Sequence, residues 1–206
     1  MTTARRLKLG PLDHGRRLNR SAFEEAEYDP GFRYEIIDGR LYVSPMPNFP
    51  EHWLELWLCR AVERYADRRP DVISLVANKG RVFLPEAVRL TVPEPDLAAY
   101  ASLPEDAEFD EVSWEDLSPV LVAEVLVGGS IEKDLGRNPQ LYLAVPSIKE
   151  YWVLDGSDVT RQPTLIQHRR RGKKWVVTPY PYQSTFTTSL LPGFELVIDP
   201  RPRRRR

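Results

Sequence analysis

Two carboxylates at unusual positions in this sequence could hold a metal ion. Glu124 lies inside a continuous apolar run over 119–127, which is typical of a central strand buried on both faces. An ionised carboxylate there must be paired, protonated or bound to a cation, because an unpaired buried charge is costly. Asp96 ends the segment Pro93-Glu-Pro-Asp96. Two acids on neighbouring strand ends suit an oxygen-seeking ion such as Mg²⁺, so the pair indicates a metal-dependent hydrolase.

A third acid, Glu35, lies on the first strand of a predicted β-hairpin over 33–43, whose tight turn is favoured by Asp38-Gly39. If the hairpin and the two later strands are neighbours, Glu35, Asp96 and Glu124 converge at one edge of a sheet. A metal there would polarise a phosphate oxygen and neutralise charge during phosphodiester hydrolysis. The alternative is structural: Asp96 caps a turn, Glu35 faces solvent and Glu124 pairs with an arginine.

The elements that must position these acids follow from hydrophobic periodicity. Apolar residues recur at helical spacing over 51–68, and a Ser21 cap followed by Glu24 predicts a short helix over about 21–28. A connection long enough for a crossover helix separates the 119–127 strand from a strand at 150–155. The remaining predicted strands are 72–77, 80–84, 87–92, 97–100, 164–169, 173–178, 185–190 and 194–198. The pattern predicts an α/β (α+β) core with an antiparallel C-terminal β extension.

Composition predicts one globular domain. The chain has 206 residues, of which 42% are hydrophobic and 29% charged, as is ordinary for a globular protein. Its apolar runs are too short for a membrane span, so a cytoplasmic protein is expected. The predicted organisation is a basic N-terminal segment at 1–20, one domain at 21–199 and a basic tail at 200–206. Three scattered histidines and the lone Cys59 give no zinc-ligand spacing.

Several segments together resemble a known family. They keep a consistent order from about residue 20 to 199, and they are 34–45, His52, Pro95-Asp96, 122–126, Asp134, Tyr142 and 145–155. In this order they resemble the Uma-type endonucleases, a bacterial family of the restriction-endonuclease-like PD-(D/E)XK superfamily. The resemblance implies a mixed sheet flanked by helices and a DNA-cleaving site dependent on Mg²⁺ or Mn²⁺. It implies Asp96 and Glu124 as metal ligands and Glu35 as an additional catalytic acid.

The sequence departs from that superfamily at its lysine. Leu126 stands where the motif lysine would fall, and Asn138 stands at the alternative position four residues after Asp134. Because Pro139 disfavours helical geometry in the residue before it, Asn138 is predicted to be an N-cap, with a helix from Pro139 to about residue 145. Lys133 is the favoured substitute for the missing catalytic cation, and Arg137 is the other candidate.

These observations leave three functions open. The first is a Mg²⁺-dependent DNA endonuclease acting as a homodimer, since two sites related by twofold symmetry suit the cutting of both strands. The second is a catalytically attenuated or inactive member of the same fold that acts through protein contacts, as the missing lysine favours. The third is a hydrolase or binding module for a small anion.

Overall fold

The structure, a computed structural model, describes residues 6–104, 112–128, 131–159 and 161–201. Within these ranges the strands are β1 (Lys8–Leu9), β2 (Glu27–Tyr28), β3 (Phe32–Ile37), β4 (Arg40–Pro45), β5 (Leu75–Ala77), β6 (Leu97–Tyr100), β7 (Leu121–Leu126), β8 (Glu150–Asp155), β9 (Thr164–Arg171), β10 (Lys174–Tyr180), β11 (Thr185–Thr187) and β12 (Glu195–Val197). The helical elements are a 3₁₀ helix (Pro11–Asp13), α1 (Arg20–Glu24), α2 (Phe49–Arg68), a π-helix (Glu132–Arg137) and α3 (Asn138–Leu143).

A mixed six-stranded sheet forms the centre of the fold, in the order β10-β9-β8-β7-β6-β5. Only the β7–β8 pair is parallel within this sheet, and the chain between these strands passes through the π-helix and α3. The remaining neighbours are antiparallel. The predicted α/β class, with helices beside a mixed sheet and an antiparallel C-terminal part, is confirmed.

The two faces of β7 point into different hydrophobic clusters. Leu121, Ala123 and Val125 pack with α2 and the β11–β12 ribbon, whereas Val122 and Leu126 pack on the side of α3. Glu124 alternates with the second set and therefore points toward α3. The strand is buried throughout, as the apolar run predicts.

The β3–β4 hairpin is a separate two-stranded ribbon rather than a neighbour of β6 and β7 in the sheet. Its turn has positive φ angles at Asp38 and Gly39, as the sequence predicts. Ile36 and Val92 exchange backbone hydrogen bonds, which tie β3 to the segment that leads into Asp96. This bridge positions β3, and with it Glu35, beside the central sheet. The strand pairing that the sequence suggested is not formed.

Three local predictions are corrected. Helix α1 ends at Glu24, and its N-cap is Asn19, whose Oδ1 accepts from the Ala22 N–H at 2.9 Å, rather than Ser21. The predicted strands at 80–84 and 87–92 are not regular strands. Their backbones still meet where Val82 donates to Pro93 and Leu84 to Thr91. Proline at positions 85 and 93 removes the N–H groups that a continuous ladder would need.

The predicted N-terminal segment contributes to the structure where it is described, because β1 pairs with β2 and Leu9 is fully buried. Residues 202–206 of the predicted tail lie outside the described residues, and the domain boundaries stay predictions. In the part of the chain that the structure describes, every helix is too short or too polar to cross a membrane.

Candidate active site

Asp96 and Glu124 lie side by side where β6 begins next to β7. Leu97 pairs with Ala123 across the antiparallel ladder, which places the preceding Asp96 beside Glu124. The backbone N–H of Val125 donates to Asp96 Oδ2 at 2.7 Å. This hydrogen bond fixes one carboxylate against the strand that carries the other.

Glu124 is held by two donors from α3. Its Oε1 accepts from Asn138 Nδ2 and from the Tyr142 hydroxyl, each at 2.9 Å. Burial raises the pKa of Glu124 well above its ordinary value. The Lys133 ammonium opposes this rise, and the carboxylates of Asp134 and Asp96 add to it. The carboxylate is therefore held in a fixed orientation. The positive charge near it is too small to offset burial, so its protonated form is favoured relative to an exposed glutamate.

Asn138 occupies the position where the resemblance placed a lysine, and it is fully buried. The N-cap prediction for Asn138 is wrong: the residue has helical angles, φ −62° and ψ −37°, and its backbone N–H donates to the Lys133 carbonyl, five residues earlier. The helix-breaking effect of Pro139 is absorbed by the π-helix that precedes it. The Asn138 amide also donates to Asp134 Oδ1 at 3.1 Å. Leu126, the other lysine position, is buried in the apolar cluster beside α3.

Lys133 lies beside Glu35 and so joins the acid cluster. Its Nζ is 3.4 Å from Glu35 Oε2, and Arg137 Nη2 is 3.6 Å from the same oxygen. Glu35 Oε1 accepts from the Glu94 backbone N–H at 3.1 Å. Burial lowers the pKa of Lys133, but Glu124 and Glu35 raise it more, and the net shift is upward. The ammonium therefore stays charged at neutral pH.

Comparison with known proteins identifies the family to which this fold and these acids belong. The model of the Uma2 family, described as "Putative restriction endonuclease", matches residues 20–199. The chain belongs to the Uma2 family. A crystal structure of a "putative nuclease belonging to DUF820" from Anabaena variabilis ATCC 29413 has a TM-score of 0.67 and 14% sequence identity, over 86% of this chain and 93% of that chain. At this identity the likeness shows the fold alone. No curated protein matches the chain significantly.

Arg33 belongs to the candidate site of this Uma2-family chain, and sequence reasoning missed it. Its Nη2 lies 2.6 Å from Asp96 Oδ1 and donates to the Glu94 carbonyl at 3.2 Å. Burial lowers the pKa of Arg33, but the carboxylates of Asp96, Glu124 and Glu55 raise it above its ordinary value. A signal was available, because Arg33 and Glu35 are two residues apart on β3 and must point to the same side.

Two further acids were missed, Glu55 on α2 and Asp134 on the π-helix, and both are buried. Burial, followed by repulsion from Asp96 and a hydrogen bond with it, raises the pKa of Glu55 to about 8. Burial also raises the pKa of Asp134 to about 7, with Lys133 opposing and Asp96 adding to the rise. Glu55 could have been noticed as a carboxylate next to the apolar stripe of an amphipathic helix.

The histidine of the resembling pattern, His52, lies in the first turn of α2 and is 57% exposed in its side chain. Its Nδ1 is 3.8 Å from Glu55 Oε2. The imidazole therefore contacts the rim of the site and stays open to solvent.

The donor set fits a hard divalent cation. Among the described residues, five buried carboxylates lie in this cluster, and three arginine or lysine side chains lie within 4 Å of them. The acids are Glu35, Glu55, Asp96, Glu124 and Asp134, and the cations are Arg33, Lys133 and Arg137. Asp96 Oδ1 is buried and accepts no hydrogen bond of ordinary geometry. Among the described residues no three acid, histidine or cysteine side chains already converge on one point. Mg²⁺ commonly uses one or two carboxylates and completes its shell with water and substrate oxygens, which is compatible with Asp96 and Glu124 as its ligands.

Proposed function

We propose that this Uma2-family chain is an endonuclease that hydrolyses DNA phosphodiester bonds with the help of Mg²⁺ or Mn²⁺. The observation that carries the proposal is the adjacency of Asp96 and Glu124 across β6 and β7, with Glu35 and Lys133 in the same cluster. The family match supports the nuclease class. We also propose DNA as the substrate, Mg²⁺ or Mn²⁺ as the metal and a homodimer as the assembly. A cytoplasmic location stays a prediction.

Each acid has a distinct role in this proposal. Asp96 and Glu124 hold the cation, with Val125 orienting the first and Tyr142 the second. A bound Mg²⁺ would polarise a phosphate oxygen and lower the pKa of a bound water. Glu35 holds Lys133 through an ion pair and so aims its ammonium toward the acids.

Lys133 supplies positive charge rather than a base. Since its pKa lies above the ordinary lysine value, the ammonium stays protonated and can neutralise charge that develops on a phosphate oxygen or donate a proton to the leaving oxygen. Arginine can clamp a phosphate but does not release a proton at neutral pH, so Arg137 could replace only the electrostatic part of this role.

The β9–β10 hairpin offers a surface for the DNA backbone. Five of the seven residues from 168 to 174 are arginine or lysine, and none is acidic. Arg171, Lys173 and Lys174 are exposed, and Arg169 and Arg171 line an open cavity of about 320 Å³ together with Lys149. Such a group of cations can neutralise phosphates, although the rest of the chain is acidic.

A second function is favoured by one specific observation. A neutral amide at Asn138 meets Glu124 where the superfamily would place an ammonium, and Arg33 already neutralises Asp96. A chain that balances its acids internally could keep the fold for protein contacts without cleaving DNA.

Cleavage of supercoiled plasmid with Mg²⁺ or Mn²⁺ separates the two functions. The native chain should nick or linearise the plasmid, and Asp96→Asn and Glu124→Gln should each reduce the rate by at least about 100-fold. Glu63→Gln on the exposed side of α2 is the matched control. Thermal unfolding of the same proteins shows whether each acid variant folds and whether metal stabilises the native chain. A native chain without cleavage or metal stabilisation would support the non-catalytic function.

A further inference from the structure

One face of α2, outside the acid cluster, carries aromatic and arginine side chains along an open groove. Five residues spaced three or four apart form a stripe on this face, and they are Trp53, Leu56, Trp57, Arg60 and Arg64. The stripe is one wall of a cavity of about 620 Å³, and residues 195–197 and 199–201 form the other wall. The proposed function uses none of these residues.

The two tryptophans of the groove are held in place without being enclosed. Both are only partly buried where they pack against the core. Trp53 Nε1 donates to the Pro200 carbonyl at 2.6 Å, which fixes this indole against the opposite wall. The ring of Phe49, 77% exposed, lies 6.5 Å from that of Trp53 between centroids. Neighbouring aromatic rings that stay open to water form the kind of surface that binds a ligand.

The charge of the groove favours an anionic ligand. Arg60 and Arg64 are exposed, and among the described residues neither guanidinium has a carboxylate within 4 Å. Arg64 Nε instead donates to the Arg60 carbonyl at 2.9 Å. On the opposite wall Arg201 is paired with Asp199 at 2.7 Å, and Glu195 is exposed to solvent. The two arginines of α2 are therefore available to meet phosphates beside the aromatic rings.

We propose that this groove binds a single-stranded segment of DNA next to the candidate active site. Bases stack on Trp53 and Trp57, and phosphates lie near Arg60 and Arg64. In a duplex each base face is covered by its neighbours, whereas an unpaired base can stack on an indole.

The groove is continuous with the candidate active site along α2. His52, at the rim of the site, and Trp53, in the groove, are consecutive residues of this helix. This inference rests on the proposed function, because it assumes that the chain acts on DNA. It narrows the substrate to DNA with an unpaired segment near the cut.

Binding of a labelled oligothymidine in EDTA, measured by fluorescence anisotropy, tests the groove separately from cleavage. The native chain is compared with Trp57→Leu, Trp57→Phe and the double variant Arg60→Gln/Arg64→Gln. Trp57→Leu keeps an apolar side chain and removes the stacking face, whereas Trp57→Phe keeps an aromatic ring. Arg68→Gln, exposed on the same helix and outside the groove, is the control for a lost positive charge. Thermal unfolding checks that every variant is folded, and the same strand in a blunt duplex is the comparison ligand.

We expect Trp57→Leu to bind the single strand at least about fivefold more weakly than the native chain, as loss of one stacked base commonly does. Trp57→Phe should bind within about twofold of the native chain, and Trp57→Leu should bind the duplex normally. The double arginine variant should lower the slope of log K against log salt by about 1.4, since each phosphate contact to a single strand contributes about 0.7. Arg68→Gln should leave the slope unchanged.

The outcomes separate this inference from the proposed function. If the native chain cleaves plasmid but does not bind the single strand, or if both groove variants bind it normally, this inference is wrong while the proposed function stands. If the native chain neither cleaves nor binds DNA, both are wrong. If Trp57→Leu changes only the oligomeric state measured by light scattering, the groove is an interface between copies of the chain and the inference is again wrong.

Discussion

Asn138 Nδ2 donates a 2.9 Å hydrogen bond to Glu124 Oε1, from the position at which the family resemblance predicted a lysine. An amide can orient a carboxylate, but it cannot offset its charge or deliver a proton. The burial that raises the pKa of Glu124 is thus opposed mainly by Lys133. Lys133 is therefore the cation that does most to stabilise the ionised form of Glu124.

Asn138→Lys should increase plasmid cleavage by at least about tenfold, because a positioned cation and proton donor commonly contributes 10²–10⁴-fold. Its ammonium would lie between Glu124 and Asp134, which now share the Asn138 amide. The control Asn138→Leu removes the amide without adding charge and should lower the unfolding free energy by about 1–3 kcal/mol, because buried acceptors lose a donor. A folded Asn138→Lys variant no faster than the native chain would show that charge at this position does not limit the reaction.

Lys133→Gln should lower kcat by about 100-fold or more while changing the Kd for DNA by less than about threefold, since one ammonium inside the site acts mainly on the transition state. Lys133→Arg keeps the ion pair with Glu35 and should retain part of the rate through charge alone. Single-turnover cleavage and binding of uncleaved DNA in Ca²⁺ measure the two effects. Equal rates for the Gln and Arg variants would argue against an electrostatic role, and Lys8→Gln, at an exposed lysine on β1, serves as the control.

Tyr142→Phe should shift the pH profile of cleavage, because the Tyr142 hydroxyl stabilises the ionised Glu124 through its hydrogen bond. Without it the pKa of Glu124 rises further, and the acid limb of the profile moves to higher pH. Tyr151→Phe is the matched control, since its hydroxyl is equally buried but donates to the Asp134 carbonyl at 2.7 Å. Both variants should lose about 1 kcal/mol of stability, so only the profile separates a positioning role from a structural one.

The sequence predicted the central strands and three acids of the candidate site, Glu35, Asp96 and Glu124, and for the last two the signal is local. Glu124 interrupts a continuous apolar run, and Asp96 ends a proline-rich approach to a strand. Arg33 and Glu55 each had a local signal, but their place in the site depends on the meeting of β3 and α2 around Asp96. Such contacts join residues far apart in the chain, and no periodicity encodes them.

The prediction for Asn138 failed for a different physical reason. A local rule, the steric effect of Pro139 on the preceding residue, was overridden by tertiary hydrogen bonds from the Asn138 amide to Glu124 and Asp134. The preceding turns widen into the π-helix Glu132–Arg137 and accommodate the strain. A tertiary contact thus decided the local conformation.

Replacing Arg171 and Lys173 together by glutamine should weaken binding of duplex DNA and lower its dependence on salt. Both side chains are exposed on the β9–β10 hairpin, so the substitutions should change stability by less than about 0.5 kcal/mol. If each contacts one phosphate, the slope of log K against log salt should fall by about two. Fluorescence anisotropy at several salt concentrations measures the slope. An unchanged slope would remove this hairpin from the DNA-binding surface without affecting the metal site.

The stability of the metal-free chain should fall as the pH rises, with Glu55 as one cause. The pKa of Glu55 is raised from 4.5 to about 8, so the folded chain keeps this proton in a range where the unfolded chain has released it. Its stabilising contribution is complete below about pH 4.5 and is lost as the pH rises to about 8, at up to about 1.4 kcal/mol per pH unit. Urea unfolding in EDTA across this range should show a shallower decline for Glu55→Gln than for the native chain. Parallel curves would mean that Glu55 is already ionised in the folded protein, with Arg33 sufficient to balance it.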